Sequence, residues 1–487
     1  MFRRLLLATA AAAIPALSAA AAPATPEEAA RLKAVLERYV SQPAPGETSG
    51  VTVEPKGDAY ALTLDLKRAA AALSSFGVTI DPYVTAVTLT PLPDGTWKVH
   101  SDDSPPLVLH VGQQTVNFAA ASSAFDGLFD PKLHALSSYK QEQTGYTLAQ
   151  TAPTLTQNRR IDKVLLNGTG VAAENGTTTV QGHYATSGTA ADVVFKPGPS
   201  APVSGNPAVP PPARPGMVLS YTTPDSTNDF AFDRLRAGSL LDLWAFVVAH
   251  PTHDSIVASQ GDLKAMLQAG LPFFDALKES ASLSTLAVTT PIGVVTAKTL
   301  GGSIDAAGLS GTGNMAYAIS IADLVIPPGQ LPPWSAGLVP KALDLHVALD
   351  GFHATEAGQE LIKDVDLSKD VIISPEQKEA VSHLFWPGTG TVTLAPSRIT
   401  TAALDLKMEG RANMGPTPAG SVTITGTGLD KEIAALQAQA ATDPGAGQVL
   451  GPLVLAKNLA KPNPDGSLTW VIAFGTGPVT INGATLQ

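Results

Sequence analysis

No cysteine occurs among the 487 residues. That excludes disulfides, a thiol nucleophile and thiolate metal ligation, as well as lipid attachment through an N-terminal cysteine. A chain of this size then depends on its apolar core for stability. Charge is scarce too: charged residues make up 15%, against about 25% in an ordinary soluble protein. The 31 Lys and Arg are outnumbered by 42 Asp and Glu, for a net charge of −11. Long basic runs are missing, Arg159-Arg160 being an isolated pair. A nucleic-acid surface needs a basic face, so nucleic acid is not an expected partner. Past the N-terminus no window offers 18 consecutive apolar residues, and the best, Leu240 to Ala249, is broken by Asp242. No transmembrane segment is therefore expected once the leader described next is cleaved.

What is present is an aliphatic, turn-rich chain: 44% hydrophobic, with 43 glycines and 40 prolines. The N-terminus carries Arg3 and Arg4, an apolar run from Leu5 to Leu17, and small residues from Ser18 to Ala22. This is the pattern of a secretory signal peptide, assigned to residues 1–21, and it predicts export to a bacterial periplasm.

Beyond the leader, Thr25, Pro26 and Glu28 read as a helix start with a capping box. Leu32, Val35, Leu36, Tyr39 and Val40 form its apolar face. From Val51 to Tyr221 the chain reads as strands, with Tyr60, Leu62, Leu64 and Leu66 alternating and Pro93-Asp94-Gly95 marking a hairpin. Residues 197–216 hold eight prolines and read as an exposed loop, since proline lacks the ladder donor. Leu235 to Ala249 predicts a helix. A second opens at Ser259 and Asp262, with Pro272 bending it ahead of Phe273, Phe274 and Leu277. Strands resume at Leu283, interrupted by a helix capped at Ser374 and Gln377, one over Leu429, Ile433 and Leu436, and one from Val449 to Leu459.

The expected fold is α+β: extended antiparallel β-sheets with helices packed on one face. The segments are a β-rich half (22–230), a helical segment (231–282) and a second β-rich half (283–487). Ala342-Leu343-Asp344-Leu345 echoes Ala403-Leu404-Asp405-Leu406, and Pro93-Asp94-Gly95 echoes Pro464-Asp465-Gly466, which is compatible with two pseudo-repeated halves.

The closing stretch, Asp465-Gly466-Ser467-Leu468-Thr469-Trp470 leading to Val479-Thr480-Ile481-Asn482-Gly483, resembles the end of the YdgA-like uncharacterised bacterial envelope proteins. Related alphaproteobacterial periplasmic proteins of unknown function are similar as well. The resemblance implies an exported α+β protein with extended antiparallel sheets, and it brings no catalytic residues with it.

Chemistry-bearing motifs are sparse. Ser137-Ser138-Tyr139-Lys140 contains Ser-x-x-Lys, but the partner motifs of a penicillin-recognising enzyme are missing, Lys298-Thr299-Leu300-Gly301 being a near miss. His250, His253 and Asp254 are the best metal-ligand cluster, with His353 and Glu356 behind them. The plainer role for His250 is to meet the last carbonyls of a helix. Asp102-Asp103, and Asp364 with Asp366, read as solvated carboxylates. No catalytic, cofactor-binding or metal site is assigned, and no cofactor is expected. The function expected is a non-enzymatic envelope protein, a scaffold or a binder of lipid-like or other apolar molecules, with a lipid or an envelope protein as partner. The alternative is a periplasmic hydrolase whose site is assembled only by the fold.

Overall fold

The structure is a computed structural model that describes residues 23–40, 49–66, 71, 73–74, 77–196, 217–291, 293–327, 329, 331–369, 372–415 and 417–485. The expected leader and the proline-rich segment 197–216 lie outside the described residues. Among the described residues about half of the chain is strand, and eight helices accompany the strands. No helix among the described residues is long and apolar enough to cross a membrane. The chain divides into two compact units, one of residues 1–275 with 362–373 and one of residues 276–361 with 374–487.

The first unit opens with α1 (Pro26–Val40). Thr25 caps it as expected, its Oγ1 accepting from Glu28 N–H at 3.2 Å. The expected return bond from Glu28 does not form. The Thr25 N–H donates instead to Tyr60 Oη at 3.3 Å, and Glu28 pairs with Arg31. A tertiary partner has replaced the local one.

Seven short strands follow: β1 (Val51–Lys56), β2 (Ala59–Asp65), β3 (Val78–Ile80), β4 (Val84–Pro91), β5 (Trp97–Ser101), β6 (Leu107–Val111) and β7 (Gln114–Ala119). Then come β8 (Ser122–Asp130) and four long strands, β9 (Ala135–Thr151), β10 (Leu155–Ala172), β11 (Thr178–Phe195) and β12 (Met217–Leu235). At about 3.3 Å per residue the long strands run to roughly 60 Å. All pairings are antiparallel, and β9 organises them. One edge of β9 pairs with β10 throughout, while the other takes β8 along its first part and β7 along its last. The change of partner falls at Gly145, which has φ +57°. Beyond it, one branch runs β8-β5-β4-β2-β1 and the other β7-β6-β3. Both branches close on α1: Leu32 and Leu36 share one core with Leu62, Leu64, Trp97 and Phe129 of the first branch and Leu107 and Leu109 of the second.

The long strands carry a crease. Thr186 and Thr189 of β11 are both buried and hydrogen-bond each other at 3.3 Å, although residues three apart in a regular strand face opposite ways. Between them lies Gly188, φ +63°, and a left-handed residue lets the alternation skip a step. Ile161 and Val164 of β10, both buried, record the same skip.

Three helices complete this unit: α2 (Ala237–Ala249), α3 (His253–Ala258) and α4 (Gln260–Gly270). The expectation of a helix bent at Pro272 and continuing to Leu277 is corrected. Helix α4 ends at Gly270, and Leu277 lies on a strand of the second unit. Proline offers no N–H and disfavours helix in the residue before it. Phe274 instead packs edge-on against Phe232, centroids 5.3 Å apart.

The second unit is a meander: β13 (Ala276–Thr290), β14 (Gly293–Ala307), β15 (Gly313–Ala322), β16 (Pro340–Phe352), β17 (Thr391–Thr401), β18 (Asp405–Asn413) and β19 (Ala419–Thr427), each paired with the next. Helices α5 (Ala354–Asp364) and α6 (Pro375–Phe385) separate β16 from β17; α7 (Leu429–Ala440) and α8 (Pro444–Leu459) follow β19. The short β20 (Lys461–Pro462) and then β21 (Leu468–Phe474), β22 (Thr480–Ile481) and β23 (Ala484–Thr485) close the sheet, β21 pairing with β19. Helix α6 starts at the expected box, with Ser374 Oγ and Gln377 Oε1 bonding each other's backbone N–H. Helix α8 begins earlier than expected because Asp443 Oδ1 accepts from Gly445 N–H and Pro444 suits a first turn.

Candidate functional site

Register places directly paired residues on one face of a sheet. In the second unit, one such row reads Leu283, Leu300, Ile321, Leu343, Ile399 and Leu406 from β13 to β18. A second begins at Glu279 on β13, reads Ile304, Tyr317, Val347 and Leu394, and continues after Gly410 to Val422 and Ile472. The row beside the first, on the opposite face, reads Ser282, Gly301, Ser320, Asp344, Arg398 and Lys407. One face is therefore aliphatic across the meander, and the other is hydroxylated and charged. On the latter, Arg398 makes a fork to both Asp405 oxygens at 2.7 and 2.8 Å, which holds the Asp405 carboxyl below its usual range.

The α7–α8 pair covers one end of the apolar face. Leu429, Ile433, Leu450 and Leu453 pack on Ile424, Leu468 and Trp470, and Trp470 Nε1 donates to Ala456 O at 2.7 Å. Toward the middle strands large apolar side chains stay open: Ile304 is 36% exposed, Tyr317 47% and Val347 37%. With strands about 4.8 Å apart, the eight strands from β13 to β21 span roughly 34 Å, near the thickness of a bilayer's hydrocarbon core. Large apolar side chains left open on three adjacent strands, β14 to β16, are the feature a binding face has. Glu432, the one buried carboxylate of α7, lies against Gly337 and is pushed above its usual range by loss of solvent.

The residues singled out in the sequence do not converge. His250 ends α2, its Nδ1–H donating to Phe246 O at 2.8 Å and its ring stacking on the Phe246 ring. His253 and Asp254 are exposed at the start of α3, and no group of three His, Asp or Glu suited to a metal occurs among the described residues. Ser137 and Lys140 lie three apart on β9, on opposite faces, and Ser137 Oγ donates to Leu128 O. Lys298 on β14 reaches Asp323 at 3.9 Å. His353 Nδ1 is 3.5 Å from Glu356 Oε2.

Asp102, Asp103 and Asp366 are exposed or half-exposed, and each also has a specific partner. Asp103 Oδ2 accepts from Ala86 N–H. Asp366 closes a turn with Ser368 and pairs with Lys369, which together lower its carboxyl well below the usual range. Asp102 and Asp126 hold His100 between them at 3.0 and 2.9 Å, and the His100 imidazole is raised first by its bond to Asp126 and then by that to Asp102. Asp364 also has a partner.

Two arrangements were not visible in the sequence. Asp81, His110 and Thr115 form a chain, with Asp81 Oδ1 to His110 Nε2 at 3.0 Å and His110 Nδ1 to Thr115 Oγ1 at 3.2 Å. The carboxylate favours the tautomer in which Nε2–H donates, which leaves Nδ1 to accept from the threonine. All three lie at an exposed strand surface, where a charge relay has no enclosing walls. The other is Arg159, which the register sets in an apolar row of the first unit. Compared with family models, curated proteins and solved structures, the chain matches none.

Proposed function

We propose that this is an exported protein of the bacterial periplasm, of YdgA-like kinship, whose sheets bind lipid-like or other apolar molecules without transforming them, as a carrier or an envelope scaffold. The observation that carries the reading is the two-faced meander: aliphatic rows from β13 to β21 on one side, hydroxyl and charged rows on the other, with Ile304, Tyr317 and Val347 open to solvent. An antiparallel sheet needs its apolar face covered, and an apolar ligand or partner supplies that cover. The shared Pro-Asp-Gly turns fit two divergent halves. In both, the glycine N–H donates back to the residue before the proline at 3.0 Å, and the aspartate accepts from the following Thr96 or Ser467 N–H.

Protein purified from its native host and extracted with organic solvent should release long-chain lipid detectable by mass spectrometry. Ligand-free protein that also fails to take up apolar dyes would refute the binding reading. A hydrolase is the second reading, and the Asp81–His110–Thr115 chain is what favours it. Turnover of short-chain esters that disappears in His110→Ala would move it to first place.

A further inference from the structure

In the first unit, register aligns Leu107, Phe118, Leu148, Arg159, Ala191 and Tyr221 in one row across β6, β7, β9, β10, β11 and β12. The neighbouring row on the same face reads Leu109, Val116, Gln150, Gln157, Val193 and Leu219, and its β6–β7 end, like Leu107 and Phe118 of the first row, belongs to the core over α1. A guanidinium in the middle of such a row is out of character, because a permanently charged group set among apolar side chains normally has an acidic partner. Arg160, on the opposite face, does approach one, Asp162 at 3.8 Å. Arg159 does not: its Nε is buried without a hydrogen-bond partner, and no carboxylate pairs with it among the described residues. A buried donor left unpaired on a charged group is costly, and it persists most readily where something else supplies the acceptor.

We propose that this row is the head end of a binding site for the anion of a long-chain carboxylic acid, with the guanidinium of the half-buried Arg159 taking the carboxylate and the half-buried Leu148, Val193, Leu219 and Tyr221 taking the chain. The inference rests on the reading of the protein as a binder of apolar molecules and narrows its ligand class. The planar guanidinium fork matches the two oxygens of a carboxylate. One positive charge on the row calls for one negative charge, whereas a phosphate monoester carries nearly two. A zwitterionic headgroup would set its cation against Leu148, Tyr221 and Leu219, none of which can neutralise it.

The test is titration of the full-length protein with a fluorescent long-chain carboxylic acid and with its methyl ester. The native protein should bind the acid about tenfold more tightly than the ester. Arg159→Met should abolish that preference while leaving ester binding in place, and Arg159→Lys, which keeps the charge, should retain part of it. Equal binding of acid and ester by the native protein would overturn the carboxylate site and leave the apolar reading standing. So would an Arg159→Met variant that keeps the preference, or phosphatidylglycerol displacing the acid more effectively than the acid displaces itself. Binding of neither acid nor ester would overturn both. If Arg159→Met fails to fold, the acid-to-ester ratio in the native protein and in Arg159→Lys decides.

Discussion

Removing the same two methyl groups from a filled core and from an open face should have very different consequences. Val99, on β5, is 1% exposed and pairs with Leu89 and Gly127. Val347, on β16, is 37% exposed and pairs with Tyr317 and Leu394. At about 0.8 kcal/mol per buried methylene-sized group, Val99→Ala loses roughly 1.6 kcal/mol of transfer energy. The cavity left in a close-packed core raises the total to about 2–3 kcal/mol. For Val347→Ala more than a third of the surface is already wet and water fills the space, so the loss is under about 1 kcal/mol. Both positions lie in strand interiors, so the lower strand preference of alanine affects each in the same direction. Hydrogen exchange in a urea series, read on peptides covering 84–101 and 340–352, measures each unit separately, which matters because two units need not unfold together. Equal destabilisation by the two substitutions would mean that the face around Val347 is covered, and the binding reading would lose its basis. A saturating apolar ligand should then protect the 340–352 peptide, by about 2.7 kcal/mol at a hundredfold excess over its Kd.

Two further outcomes follow from local geometry. His100 is raised by Asp126 and Asp102, so its protonated form is favoured in the fold; the stability it contributes is present below the unfolded value of about 6.5 and fades as pH rises through the higher folded value. NMR titration should show the His100 midpoint falling in Asp126→Asn, and an unmoved midpoint would show that the pair has no influence. Gly428, which precedes α7, has φ +89°, and an added Cβ would lie 1.8 Å from Ala403 O. Gly428→Ala should therefore cost more than the roughly 1–2 kcal/mol of a left-handed residue, whereas Gly57→Ala, φ +65° with nothing within 4 Å, should cost only that amount. Urea unfolding of the two variants gives the comparison.

Local grammar was legible wherever one segment determines its own structure. The apolar spacing of Leu32, Leu36 and Val40, the Ser374–Gln377 box and the two Pro-Asp-Gly turns all depend on residues within a few positions of each other, and each forms. The full length of β9 and β11 was illegible for a physical reason. Gly145 and Gly188 interrupt the alternation, so a period-two reading across Ala135 to Thr151 or Thr178 to Phe195 loses phase midway, and the two parts look like unrelated short runs. Sequence also could not show His100 between Asp102 and Asp126, since the second carboxylate is 26 positions away. Arg159 read as half of an isolated basic pair. Only the register reveals that its neighbour Arg160 faces the polar side while Arg159 lies in a row with Leu148 and Ala191.

The two units answer one physical demand in different ways. Each is an antiparallel sheet with an aliphatic face, and such a face left in water drives association. The first unit meets the demand from its own chain over part of its sheet: the sheet splits at Gly145, and the two branches close over α1, so that Leu32 and Leu36 are fully buried. In the second, among the described residues, α7 and α8 cover the β19–β21 end, where they sit on Ile424 and Trp470. The sparse charge fits this division. Much of the polar face is served by serine and threonine, whose hydroxyls keep a strand soluble without the repulsion that a row of like charges brings. Glu279 stands beside Ile304 in the register, yet Ile304, Tyr317 and Val347 themselves are apolar and open. The proposed binding of an apolar molecule would give these open residues their cover.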